Sequence, residues 1–135
     1  MEKYESKQHQ IRRPAEQIYN VISDFRNFTP ALNGRVDGWT ADENQCSFKF
    51  KGITMRLCMV DKVPNDYVKI SGDDRSPMEF TLWMQMKQVA DYDTRIRLVL
   101  HAKLNMMMRM MLGSKLQKGL DEMAAQMARA FNGEF

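Results

Sequence analysis

Reactive and metal-binding side chains are scarce in this sequence. It holds two histidines, His9 and His101, and two cysteines, Cys46 and Cys58, among 135 residues. The histidines stand at no metal-ligand spacing. No paired-cysteine motif, phosphate loop or Gly-x-Ser-x-Gly nucleophile turn is present, so zinc, nucleotide and serine-hydrolase chemistry have no motif to rest on. The cysteines fall on separate strand candidates with no nearby thiol partner, which reads as free thiols in a reducing cytoplasm. No apolar run approaches the roughly 18 residues of a membrane span. The polar opening MEKYESKQHQ lacks the apolar centre of a secretory signal. A net charge of +3, with Lys and Arg interleaved among Asp and Glu, gives none of the basic stripe that marks a nucleic-acid partner. The sequence thus gives no reason to expect a cofactor, a metal, a nucleic-acid partner or an integral membrane segment.

Methionine is what the chain has in excess, thirteen in all, most of them at positions that pattern as core. Met is flexible and fills irregular space, so such a core either tolerates a cavity that changes shape or is loosely specified. The length fits one domain spanning residues 1–135, large enough to bury a core unaided.

Periodicity divides the chain. Residues 3–12 read as a polar first strand, and Pro14 opens a helix whose inner face carries Ala15, Ile18, Val21, Ile22 and Phe25. A second short helix is predicted near Asn27 to Leu32. From Val36 the period becomes two and six strands follow in a meander. The clearest is the last hairpin, where the turn near Asp91 to Asp93 sets Met84 beside Leu98 and Trp83 beside Val99. Asn105 to Phe131 then reads as one long helix. Asn105 caps it, Gly133 stops it, and Leu112, Leu116, Leu120, Met123, Met127 and Phe131 share one face.

This order of strand, two short helices, antiparallel meander and long final helix resembles the helix-grip fold of the START-like superfamily (SRPBCC-type), which includes polyketide cyclases and lipid-transport proteins. The local wording PAEQIYNVISDFRNF, a Pro-initiated helix ending in Asp-Phe, is similar too. The resemblance covers nearly the whole chain and implies an α+β fold, a curved antiparallel sheet of six or seven strands around the C-terminal helix. It also implies a cavity between sheet and helix, open near the short helices, that takes a small hydrophobic molecule. The function this implies is binding, and by extension transport, of that molecule. Two other readings stand beside it: an aromatase or cyclase enzyme, and an interaction module with a filled core. Catalytic residues are not carried over, and catalysis is the less favoured reading.

The inward set expected to line the cavity is Phe48, Phe50, Met55, Leu57, Met59, Phe80, Leu82, Met84, Met86, Leu98, Leu100, Leu116, Leu120, Met123 and Met127. Arg109 projects into the apolar arc of the long helix, either at the pocket mouth as a binder of a ligand carboxylate or carbonyl, or with its head turned to solvent or paired with a loop carboxylate. Gly113 and Gly119 mark either room beside the sheet or simple tolerance. Met107, Met110 and Met111 lie off the arc, and a homodimer contact is their first reading, ahead of a membrane-touching lip or further core. Asp61 and Tyr67, at strand ends, are the candidate acid–base pair.

Overall fold

The computed structural model describes residues 1–32, 34–50, 52–73 and 79–133. In chain order these form β1 (Glu2–Glu5), β2 (His9–Ile11), α1 (Ala15–Ile22), a 3₁₀ turn (Phe25–Phe28), α2 (Thr29–Leu32), β3 (Asp37–Ala41), β4 (Gln45–Phe50), β5 (Ile53–Val63), β6 (Tyr67–Gly72), β7 (Phe80–Ala90), β8 (Asp93–Ala102) and α3 (Met106–Phe131). The strands make one antiparallel sheet in the order β1-β8-β7-β6-β5-β4-β3, with β2 also paired to β8. Alternation places Met84, Met86, Ile96, Leu98, Leu100 and Ala102 on the buried face. The hairpin register is the predicted one, Met84 opposite Leu98 and Trp83 opposite Val99.

The first strand is two strands rather than one. Ser6 breaks it by turning its hydroxyl inward: the Leu98 N–H donates to Ser6 Oγ at 2.9 Å, while the Ser6 N–H donates to Leu98 O at 2.8 Å. The side chain has taken a place in the ladder, and pairing with β8 resumes only at His9. The link between β1 and β2 is also latched to α3. Gln117 Nε2 donates to Glu5 O at 2.8 Å and the Lys7 N–H to Asp121 Oδ1 at 2.9 Å. The Gln117 amide and then the Lys7 N–H hold the Asp121 carboxyl below its ordinary range.

Both ends of α3 are fixed. Asn105 Oδ1 accepts from the Met108 N–H at 2.8 Å, as an N-cap should. At the other end Gly133 takes φ +74°, a left-handed conformation that favours glycine. Asn132 ties the helix end to the strand region, accepting from the Arg12 N–H at 2.8 Å and donating to Gln10 O at 3.0 Å.

The face that α3 presents to β8, β1 and β2 differs from the one predicted. Its buried residues are Leu120, Ala124 and Ala128, whereas Met123 is 43% exposed and Leu112, Leu116, Met127 and Phe131 are half-buried. Alanine lets the helix axis come close to the sheet, so the small side chains occupy the line of nearest approach and the bulky ones flank it. That displacement turns one flank of α3 toward the short helices.

Candidate functional site

Between the second half of α3, the short helices and the strands β3 to β7 lies a hollow of about 350 Å³. This is within the roughly 300–1,000 Å³ typical of ligand cavities. Its floor is set by the pleat. Cys46 of β4 pairs with Leu57 of β5, and Ile70 of β6 with Leu82 of β7, so all four point to one face of the sheet. Its side wall comes from Val21, Phe25, Phe28 and Leu32, and its roof from Met123, Met127 and Phe131.

The short helices are held where they form this wall. Asp24 caps the 3₁₀ turn by accepting from the Arg26 N–H at 2.9 Å, and the Phe25 N–H donates to Glu43 O at 3.1 Å. Phe25 and Phe28 meet edge to face at 5.7 Å, and Trp39 lies 6.0 Å from Phe48. Trp39 Nε1 donates to Thr29 Oγ1 at 2.9 Å, which satisfies the indole and pins α2 to β3. Polar groups stand on the described lining at Asn27, Arg35 and Gln126.

The structure distributes the expected lining residues over three places. Phe48, Leu57, Phe80, Leu82, Met84, Met123 and Met127 border the hollow. Met86, Leu98, Leu100 and Leu120 are buried in the packed cluster and do not reach the hollow, with Leu98 fully buried, and Met59 and Leu116 pack against that cluster away from it. Met55 stands opposite Phe48 in β4 but does not reach the hollow. The side chain of Phe50 lies outside the described residues, as do residues 74–78 of the loop before β7.

Arg109 requires a correction. Its Nη2 is 2.7 Å from Glu2 Oε1, so it is neutralised by β1 and does not border the hollow. Gly113 and Gly119 do not border it either; a methyl at Gly113 would meet the Tyr4 hydroxyl at 3.8 Å, an ordinary contact. The sequence reading had passed over Val21, Phe28, Leu32, Arg35, Trp39 and Gln126 as lining. The aromatic cluster at residues 25–39, beside the end where the fold is open, was the available signal.

Other groups lie elsewhere. Tyr67 Oη donates to Asp61 Oδ2 at 2.7 Å, and the carboxylate holds the phenol above its usual range, so Tyr67 keeps its proton, and both residues lie off the hollow. His101 packs edgewise on Trp83 at 4.6 Å, with Lys69 Nζ 5.4 Å from the same ring. A second, more open depression of about 470 Å³ is lined by polar groups such as Thr40, Ser47, Arg56 and Asp73. No group of three or more His, Cys, Asp or Glu among the described residues could hold a metal. No helix among them is long and apolar enough to cross a membrane.

Cys46 and Cys58 are both free thiols. They sit in adjacent strands on opposite faces, Cys46 opposite Leu57 and Cys58 opposite Gln45, and so cannot bridge. Burial pushes the Cys46 thiol up to about 12, which keeps it neutral and unreactive. At about pH 8, iodoacetamide should alkylate Cys46 in the folded protein at least ~100-fold more slowly than in the unfolded chain. Peptide mass spectrometry reads this directly; equal rates would mean the thiol is open to reagent.

No family model and no curated protein matches the chain. Solved structures do. The Aha1 protein of Colwellia psychrerythraea, described as a dimer, aligns over 98% of this chain and 97% of its own at 14% identity and a TM-score of 0.72. A protein of Thermobifida fusca aligns over 97% of this chain and 93% of its own, at 12% identity and a TM-score of 0.70. A START superfamily protein of Mycobacterium smegmatis aligns over 92% and 97%, at 16% identity and a TM-score of 0.60. At such identities the likeness is one of fold, and the fold is the START-like helix-grip fold.

Proposed function

We propose that the chain binds a small hydrophobic molecule in the hollow between α3, the short helices and the sheet. The observation that carries this reading is the lining: aromatic rings, leucines and methionines on three sides, with polar side chains at only a few positions. Transfer of apolar ligand surface from water to such a wall contributes about 25 cal/mol per Å² before ordering costs. Met123 and Met127 have unbranched side chains that can repack around ligands of different outline. A cyclase would need polar groups converging on a bound chain, and the described lining offers no acid–base pair for that work. The two free thiols suit a cytoplasmic setting. The test is native mass spectrometry of freshly purified protein, followed by titration with the neutral dye N-phenylnaphthylamine. A retained apolar ligand or saturable dye uptake supports the reading, and a protein that is empty and takes up no dye overturns it.

A second reading concerns the surface. Met106, Met107, Met110 and Met111 are 78%, 69%, 83% and 63% exposed at the start of α3. The one charge among residues 106–111, Arg109, is paired with Glu2, so two copies can meet there about a twofold axis without opposing like charges. The Aha1 neighbour, described as a dimer, supports self-association of this chain, and the exposed methionines are the face we assign to it. Met107→Lys together with Met111→Lys should convert a dimer to a monomer in the same mass spectra. A wild-type monomer, or a dimer indifferent to both lysines, would end this reading.

A further inference from the structure

Among the described residues that line the hollow, Arg35 is the only one carrying a charge. Other arginines of this chain have found carboxylates: Arg26 with Asp24 at 2.7 Å, Arg95 with Asp93 at 2.9 Å, Arg97 with Glu5 at 3.7 Å and Arg109 with Glu2 at 2.7 Å. Arg35 instead meets a neutral group, the Gln126 amide oxygen, reached by Nη1 at 3.5 Å. That contact spans from the chain just after α2 to α3, so the guanidinium lies across one side of the hollow. Its backbone is held there by the Arg35 N–H donating to Leu32 O at 3.0 Å.

The geometry is that of an apolar wall ending in a cation. With its oxygen turned to Arg35, Gln126 leaves its amide N–H groups as donors beside the same guanidinium. Asn27 gives one of its two Nδ2 N–H donors to Val21 O at 3.1 Å, which ties its amide to α1. A planar cation with a neighbouring N–H₂ donor matches a carboxylate, which can accept from both. An uncharged carbonyl or hydroxyl head could accept a single hydrogen bond from the guanidinium but would bring no charge to pair with it, and so would bind more weakly than a carboxylate.

Resting on the reading of the hollow as a ligand site, we infer that its ligand is an amphipathic monoanion, an apolar body whose carboxylate is received by Arg35 and Gln126. The hollow has room for about a dozen water-sized groups at roughly 30 Å³ each, which suits a medium-length chain or a compact polycyclic acid.

The experiment compares decanoate with decan-1-ol, the same chain with and without the charge, as competitors of N-phenylnaphthylamine at neutral pH. Wild-type protein should bind decanoate at least about tenfold more tightly than the alcohol. Arg35→Gln should remove most of the difference by weakening decanoate far more than the alcohol, and Arg35→Lys should keep part of it. Arg35 is exposed and outside the packed cluster, and circular dichroism of each variant confirms that it folds. Equal affinity of acid and alcohol in the wild type would overturn the anion while leaving the apolar site standing. A preference that survives Arg35→Gln undiminished would place the head elsewhere and overturn the assignment. If the dye and both competitors fail to bind, the ligand site itself falls, and the anion with it.

Discussion

Leu98→Ala is expected to lower the free energy of unfolding by roughly 3–5 kcal/mol. Leu98 is fully buried in β8, paired with Met84 on one side and bonded through its backbone to Ser6 on the other. It belongs to the same packed cluster as Leu120 and Ala124 of α3. Truncation there removes apolar burial and leaves a void that a strand paired on both sides cannot collapse to fill. Against a total stability of about 5–15 kcal/mol, the loss should move the melting temperature down by roughly 10–20 °C. The molecules that remain folded should still take up N-phenylnaphthylamine with wild-type affinity, because Leu98 is packing and not cavity wall. Urea titration gives the first quantity and dye titration the second. A loss below about 1 kcal/mol, or dye affinity that falls in step with stability, would mean that the hollow reaches under β8.

How far the sequence spoke for this structure depends on whether a signal was local. The β7–β8 register was legible because a period of two and a short turn leave one alignment that keeps both apolar faces together. The Asn105 cap was legible for the same kind of reason, since an N-cap is decided within four residues. The split between β1 and β2 was not, because Ser6 acts through Leu98, 92 residues away. The partner of Arg109 was equally invisible: Glu2 comes to it only once β1 pairs with β8 beneath α3.

The site shows the same division. Bulk and periodicity identified the inner face of the sheet, but not which part of that face is covered by close packing and which by open space. Ala124 and Ala128 decide this by bringing α3 down onto β8, β1 and β2. The packed half therefore takes Leu98, Leu100 and Leu120, and the open half falls beside the short helices. Small residues carry little weight in a hydrophobic pattern, which is why the line of nearest approach was placed on the larger side chains. Phe25 was placed on the inner face of its helix, and Phe28 and Trp39 were given no place in the lining, for a related reason. A ring that packs and a ring that lines a space have the same sequence signature.

The second large effect follows from the open half. Leu57 and Leu82 stand on the hollow's floor in β5 and β7, on either side of β6, with Leu82 opposite Ile70 and Leu57 opposite Gly72. Both are half-buried, packed against the core on one side and open to the hollow on the other, so replacing both with Trp extends two indoles into a space of about 350 Å³. Excluding about 100 Å² of ligand surface from the wall costs about 2.5 kcal/mol of binding at roughly 25 cal/mol per Å². The affinity for N-phenylnaphthylamine should accordingly fall about 100-fold, since each factor of ten is about 1.4 kcal/mol. Overpacking in a filled core costs about 1–3 kcal/mol, so a melting temperature that stays within a few degrees of wild type identifies empty space in the folded protein. A variant that melts far lower would show that this region is already full and that the chain works through its surface. Undiminished dye binding in a stable variant would put the ligand somewhere other than between α3 and the sheet. Loss of binding with retained stability is the one result in which space, lining and ligand coincide.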